Sequence, residues 1–205
     1  MKLYFHPFSG NSRRVLLVAA HLDAPVEKVV VDLTKGEQRG PANLARNPNG
    51  KVPTLEDGEM QLWESRAIMQ YLCDVTPGQT LSPTAPKERA EVNRWLSWDN
   101  GHFAQALTII VLENFVKPRT GRETDPAEVK KGEELFHTYA KVLDGHLADT
   151  SWVANDQLSI ADFSLAAGLQ LAGPARIPVE PYPNLRAWLE RVQALDSWKR
   201  TSAPA

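Results

Sequence analysis

This sequence has little cysteine, little net charge and no long apolar run, and each scarcity excludes a class of protein. Among its 205 residues Cys73 is the one cysteine, so no disulfide forms within the chain and no thiol pair exists for a redox motif. The formal net charge of -2 gives no general attraction to nucleic acid or to anionic membranes. The longest apolar run, residues 15–20, is far too short to cross a bilayer.

Familiar chemical motifs are missing as well. The five histidines are scattered without metal-ligand spacing, and no phosphate-binding loop or dinucleotide-binding glycine pattern occurs. A hydrolase nucleophile turn needs glycine two residues before its serine, but Pro7 stands there before Ser9. The first residues carry no leader-like pattern. We therefore expect a cytoplasmic protein with no metal and with no nucleic-acid or membrane partner.

The first part of the sequence predicts a small mixed sheet with helical cover. Asn11 or Ser12 is suited to cap a first helix, Asp57-Gly58 predicts a type I′ hairpin turn, and another helix starts near Ser65. The order is βαβ, then ββα. The strand-like runs are residues 2–5, 26–31, 52–56 and 59–63. Between the second and third runs, residues 36–49 predict an irregular loop with at most a short helix.

The second part of the sequence predicts helices alone. Residues 77–86 hold three prolines, one glycine and three Ser or Thr residues, which is a linker composition. Predicted helices follow at residues 87–117, from Asp125 onward, from a Ser159–Asp162 capping box onward, and at residues 184–199. We thus predict an α+β domain at residues 1–76, a linker at 77–86 and an all-α domain at 87–205.

Three short segments of the first domain carry residue types suited to an extended zwitterion. In residues 6–15 a strand meets a helix N-terminus, where free N–H groups and the Ser9 hydroxyl favour an anion. By residue type alone, Ser9, Asn11 and Ser12 are more typical of a structural turn and helix cap. Pro53 is typical of the start of an edge strand, which leaves the Val52 backbone for an extended ligand. Glu64-Ser65 precedes another helix, where it is suited to an ammonium group or to simple capping.

Taken in order, these segments resemble the signature of the glutathione transferases, and the resemblance covers essentially the whole chain. It is carried by residues 9–15, 47–55 and 64–68, placed before a proline linker and a helical half. The resemblance implies a thioredoxin-like domain that binds glutathione as co-substrate, without a prosthetic group. It also implies a helical domain that covers a small hydrophobic electrophile, and a homodimer.

Within that family the first segment is similar to serine-type, phi-like and bacterial members. The resemblance implies that Ser9 contacts the glutathione sulfur, with Ser12 and Asn11 as alternatives. It also implies a cis Val52-Pro53 bond. The implied glutathione contacts are Gln38, Arg39 and Lys51 at the glycyl end, Val52 and Pro53 at the cysteinyl backbone, and Glu64 and Ser65 at the γ-glutamyl group. The family often has histidine, lysine and glutamine where this chain has Gln38, Arg39 and Lys51.

A second subsite for the electrophile is predicted less directly. Its candidate lining residues are Phe8, His102, Phe103, Leu107 and Phe115, although aromatic and apolar residues at this spacing are more typical of a helical core. Cys73 lies away from the strand-to-helix turn where thiol-dependent family members hold their cysteine, so we expect a buried apolar role for it. The alternative functions are a non-catalytic binding or regulatory module and a specialised isomerase, dehalogenase or peroxidase.

Overall fold

The computed structural model describes residues 1–202 and begins with a four-stranded mixed sheet. The strands are β1 (Lys2–Phe5), β2 (Glu27–Val30), β3 (Thr54–Asp57) and β4 (Met60–Trp63). Their order across the sheet is β2-β1-β3-β4, with β1 parallel to β2 and the other two pairs antiparallel. The predicted order of βαβ followed by ββα is confirmed.

Two helices cover one face of this sheet because each presents an apolar stripe. Helix α1 (Gly10–His21) and helix α3 (Ser65–Asp74) pack against each other. Val15 and Leu17 of α1 are fully buried, as are Ile68 and Leu72 of α3, and so are Leu3 of β1 and Leu55 of β3. Burying these side chains is the main stabilising contribution of the layer.

The third strand differs from the prediction in its place and in its turn. β3 lies between β1 and β4, so the prediction of an edge strand at Pro53 is wrong, and Pro53 precedes the first paired residue, Thr54. The hairpin turn is Gly58-Glu59, because Asp57 pairs with Met60. Only Gly58, at φ 58°, has the positive φ that a type I′ turn requires at both positions.

The predicted loop at residues 36–49 is more regular than its composition suggested. A 3₁₀ turn (Glu37–Arg39) leads into a short helix α2 (Pro41–Arg46). The Arg46 guanidinium lies 4.1 Å from the centre of the Tyr4 ring, and its Nε donates to Glu56 at 3.1 Å. The Tyr4 hydroxyl donates to the same carboxylate at 2.6 Å. These contacts hold α2 against strands β1 and β3.

The helical part forms a second compact unit, Pro83–Gln193, with its own core. The predicted capping box of Ser159 and Asp162 and the Asp125 helix cap are confirmed. The predicted single helix at residues 87–117 is interrupted by two π-helical turns, Asp99–Phe103 and Leu112–Val116. The helices are α4 (Pro86–Trp98), α5 (Ala104–Val111), α6 (Lys117–Arg119), α7 (Pro126–His146), α8 (Ile160–Gly168) and α9 (Pro183–Ala194).

The end of the described chain belongs to the first unit rather than to the helical one. The helix predicted at residues 184–199 is two helices, α9 and α10 (Asp196–Arg200), because Leu195 is extended. The first compact unit comprises residues 1–82 and the segment from Ala194 onward. This grouping differs from the predicted borders, in which all residues after the linker form the helical domain.

A buried arginine explains why α10 joins the first unit. The Arg13 guanidinium, on α1, donates to the carbonyl of Trp198 at 2.8 Å and to the carbonyl of Thr201. It also lies 4.6 Å from the centre of the Trp198 ring. Burial lowers the pKa of Arg13 to about 10, so the side chain stays charged at neutral pH.

Candidate functional site

The turn before α1 presents the half-buried hydroxyl of Ser9 at the start of the helix. The helix begins at Gly10 with Ser9 as its cap, so the predicted caps Asn11 and Ser12 are wrong. The Ser9 Oγ accepts from the Ser12 N–H at 3.2 Å, and the Ser9 N–H donates to the His6 carbonyl at 3.1 Å. Within residues 1–202 the Ser9 hydroxyl donates to no protein atom. A ligand anion at this helix start therefore has a donor available.

The two alternative residues are engaged differently. Ser12 is fully buried, and its Oγ accepts from the His6 N–H at 3.2 Å. Asn11 is exposed, and its Oδ1 accepts from Arg14 and, at 3.5 Å, from the Ser65 hydroxyl. Of the three side chains, Ser9 alone combines partial exposure with a free hydroxyl proton.

His6 shapes this turn, a role that the sequence did not suggest. Besides its two backbone bonds, its Nδ1 accepts from the Phe8 N–H at 3.3 Å. Burial lowers the pKa of His6, which favours the neutral ring that such an acceptor requires. The signal available was His6-Pro7 directly after a strand, and it indicates a turn without specifying these bonds.

The start of α3 contains a strained acidic residue beside a buried serine. Glu64 is exposed and has φ 72° and ψ 108°, a conformation that non-glycine residues rarely adopt. Ser65 is buried, and its hydroxyl reaches Asn11 at the start of α1. Neither α1 nor α3 has an acidic residue in its first turn. The N-termini of α1 and α3 are thus linked through one side-chain contact, and Glu64 at the cap of α3 is the acidic residue beside them.

The three residues predicted for the glycyl end lie close together. Gln38 and Arg39 belong to the 3₁₀ turn, and Lys51 is exposed on the chain that returns to β3. Between them Gly50 has φ 61°, and a Cβ on it would lie 3.4 Å from the Gln38 carbonyl oxygen and 3.5 Å from Cγ of Arg39. The structure therefore places the residue before Lys51 directly against this turn.

Two buried asparagines join these segments, a role that the sequence analysis did not predict. The Asn43 Nδ2 donates to the carbonyl of Gln38 at 2.8 Å, and the Asn47 Nδ2 donates to the carbonyl of Lys51 at 3.0 Å. Both asparagines are at most 4% exposed. Asn43 lies on α2, whereas Asn47 is the extended residue at its C-terminal end, so helical spacing does not explain their shared role.

Val52 directly follows Lys51 and precedes the paired residues of β3. The pairs of β3 with β1 and β4 begin at Thr54, and Val52 is buried beside Tyr4 and Val31. The Val52-Pro53 peptide bond is cis, as the resemblance implied.

The cysteine and the proposed electrophile residues fall into different environments. Burial raises the pKa of Cys73 to about 12, so this thiol is unreactive at neutral pH. Phe8 is 44% exposed in the first unit. In the second unit His102 is exposed, whereas the remaining candidates are core residues, at 7% exposure or less: Phe103, Leu107 and Phe115.

The described residues lack two further features. Residues 1–202 include no group of three His, Cys, Asp or Glu side chains that is able to hold a metal ion. In the same residues no helix is both long enough and apolar enough to span a membrane.

Comparison with known proteins supports the family resemblance over almost the whole chain. Residues 1–74 match the family description "Glutathione S-transferase, N-terminal domain", and residues 102–196 match "Glutathione S-transferase, C-terminal domain". A probable glutathione S-transferase, GSTF2, of Oryza sativa subsp. japonica is 34% identical, with 99% of this chain and 96% of the relative covered.

Solved structures of glutathione transferases are similar to this chain in fold. Glutathione transferase F7 from Populus trichocarpa has a TM-score of 0.90 at 29% identity, with 98% of this chain and 96% of that chain covered. A possible glutathione S-transferase from Rhodopseudomonas palustris has a TM-score of 0.82 at 31% identity, with 96% and 94% covered. With its sheet, its helical unit and its helix-start turns, this chain belongs to the glutathione S-transferase family of enzymes.

Proposed function

We propose that this protein is a serine-type glutathione transferase, similar to the plant F-named and bacterial relatives, that conjugates glutathione to a small hydrophobic electrophile. Glutathione is the co-substrate and no prosthetic group takes part. The observation that carries the proposal is the Ser9 hydroxyl, which accepts from Ser12 and keeps its own proton for a ligand. Cys73, with its raised pKa, offers no competing thiol chemistry.

The chemistry required of Ser9 is modest. A free thiol has a pKa of about 8.5, so only a few per cent is thiolate at neutral pH. A hydroxyl proton donated to the sulfur stabilises the thiolate, and the N-terminus of α1 adds a favourable dipole. Lowering the thiol pKa by about one unit increases the thiolate roughly tenfold. In this mechanism Ser9 is a hydrogen-bond donor, and the thiolate attacks the electrophilic carbon.

The rest of glutathione is placed by charge and by backbone. Glu64 is suited to the γ-glutamyl ammonium group, and Ser65 with the N-terminus of α3 is suited to its carboxylate. Arg39 and Lys51, which are exposed cations, are suited to the glycyl carboxylate, with Gln38 beside them. Val52 contributes its backbone to the cysteinyl part, next to the cis Pro53.

We assign glutathione to the domain predicted at residues 1–76 and the electrophile to the helical domain predicted at 87–205, with residues 77–86 as linker. In the structure the helical unit is Pro83–Gln193. Phe8 and His102 are the exposed candidates for contact with the electrophile. Phe103, Leu107 and Phe115 are buried, which favours support of such a surface from within the core. We also propose a homodimer in the cytoplasm, as the family resemblance implies.

The proposal is tested by measuring binding and turnover on the same preparation. We expect calorimetric binding of glutathione and conjugation of a generic aryl halide at a rate that rises with pH as the bound thiol ionises. Tight glutathione binding without turnover of a panel of aryl halides, epoxides, isomerisable substrates and hydroperoxides would instead favour a non-catalytic binding or regulatory module. Analytical ultracentrifugation of the same sample tests the dimer.

A further inference from the structure

We infer that Asn43 and Asn47 are positioning residues that set the glycyl end of the glutathione site, an inference that rests on the proposed function. Neither side chain needs to touch glutathione for this role. Each holds the backbone of a residue that is proposed to contact the glycyl end. The pair therefore determines how well the site distinguishes glutathione from a thiol without glycine.

The bonds of the two asparagines are directed at the two halves of this subsite. Asn43 donates to the carbonyl of Gln38, at 2.8 Å, in the turn that carries Arg39. Asn47 donates to the carbonyl of Lys51, at 3.0 Å, on the returning chain. Asn43 on α2 and Asn47, the extended residue that follows this helix, thus fix the backbone on both sides of the proposed anion contact.

The amide nitrogens are the operative atoms. In the described residues Asn43 Oδ1 has no hydrogen-bond partner, so this side chain acts through its N–H group. Asn47 Oδ1 accepts from the Asn49 backbone and side chain, both at 3.0 Å, which holds the turn that leads to Lys51. Both side chains are buried, and losing either amide leaves a backbone carbonyl without its donor.

Helix α2, which carries Asn43 and ends directly before Asn47, is itself fixed to the sheet. Arg46, between Asn43 and Asn47 in the sequence, contacts the Tyr4 ring and pairs with Glu56 on β3. The cations of the subsite are long and exposed, and in the described residues neither Arg39 nor Lys51 forms an ion pair. Their reach therefore depends on where the backbone places them.

The test compares glutathione with γ-glutamylcysteine, which lacks the glycyl end. We expect Asn43→Ala and Asn47→Ala each to raise the KM for glutathione about fivefold, the size of one lost hydrogen bond, with kcat within about twofold. The KM for γ-glutamylcysteine stays unchanged, because that thiol never uses this subsite. A merely structural defect lowers activity with both thiols alike.

Asn114→Ala is the matched control. The Asn114 Nδ2 donates to the carbonyl of Ala175 at 3.0 Å, so this variant removes the same kind of bond in the second unit. Its effect is expected to be equal for the two thiols. If an asparagine variant fails to fold, Gly50→Ala disturbs the same junction, since its φ of 61° disfavours a side chain. The same glutathione-selective loss is expected.

The outcomes separate the inference from the proposed function. A wild-type protein that conjugates neither thiol refutes the transferase proposal and, with it, the inference. A wild-type protein that uses both thiols equally keeps the transferase and refutes the subsite. Equal losses with both thiols, or no loss, in the asparagine variants refute the positioning role alone.

Discussion

The helix-start turns and the segment at residues 38–51 form their parts of the proposed glutathione site in different ways. At the start of α1, Ser9 and Ser12 bond to backbone within six residues along the chain. At residues 38–51, two buried amides hold carbonyls of a turn and of a returning chain that have no regular pairing of their own. The first kind of site depends on a single residue type at a helix start. The second depends on several side chains acting together.

The difference indicates how substitutions should impair each part of the proposed site. A helix start offers N–H groups whatever its sequence, so one hydroxyl is sufficient to give it chemical specificity. The segment at residues 38–51 needs its asparagines, the α2 helix and the sheet contact of Arg46 before its cations are in place. We therefore expect sharp, single-residue losses of catalysis at the helix starts and graded losses of affinity in the segment.

The largest expected effect is at Ser9. Ser9→Ala removes the donor to the sulfur, so the pKa of the bound thiol rises by about one to two units and turnover at neutral pH falls tenfold or more. Ser9→Thr keeps both hydroxyl and cap and serves as control. The measurements are the pH profile of kcat/KM and the ultraviolet absorbance of the bound thiolate. An unchanged profile in Ser9→Ala would refute the sulfur contact.

Substitution of Ser12 tests whether its hydroxyl is structural, in contrast to the catalytic role proposed for Ser9 in the same turn. Ser12→Ala leaves the buried His6 N–H without its acceptor and lowers the free energy of unfolding by about 1–3 kcal/mol. The pKa of the bound thiol is expected to stay where it is. Chemical denaturation and the same pH profile check both statements. A shift of the profile in Ser12→Ala, with none in Ser9→Ala, assigns the sulfur to Ser12.

Glu64 tests whether backbone strain at the second helix start serves binding. Its positive φ costs about 1 kcal/mol or more, so Glu64→Gly raises the free energy of unfolding by up to about 1 kcal/mol while glutathione binds severalfold more weakly. Glu64→Gln keeps the strain and removes the charge, so it weakens glutathione binding without raising the free energy of unfolding. Thermal unfolding and calorimetry give the two values. Loss of stability in Glu64→Gly contradicts the strain.

The smallest effect is expected at Glu56, which holds α2 against the sheet, and this effect depends on pH. The Tyr4 hydroxyl, and then Arg46, hold the pKa of Glu56 below its ordinary range, against the opposing effect of burial. Its contribution to stability is therefore present above the unfolded pKa and is lost as pH falls through the folded pKa. Wild-type protein should lose more thermal stability between about pH 5 and pH 3 than Glu56→Gln. Parallel curves for the two proteins exclude this contribution.

Local signals in the sequence predicted much of the fold. The βαβ and ββα order follows from periodicity within each segment. The Asp125 cap and the capping box of Ser159 and Asp162 join residues at most a few positions apart, so the sequence pattern contains them. The errors came where local signals compete. Ser9, Asn11 and Ser12 are all good caps, and only the tertiary position of the turn selects Ser9.

The sequence by itself determined the alternation of strands and helices, the family resemblance and the residue types available to a thiol. Tertiary structure decided which serine hydroxyl is accessible to a ligand, because burial of Ser12 depends on packing of α1. It also decided that α10 returns to the first unit, through a bond between Arg13 and Trp198, 185 residues apart. Helix caps and periodicity act over about one turn of chain, whereas burial and long-range hydrogen bonds exist only after the chain has folded.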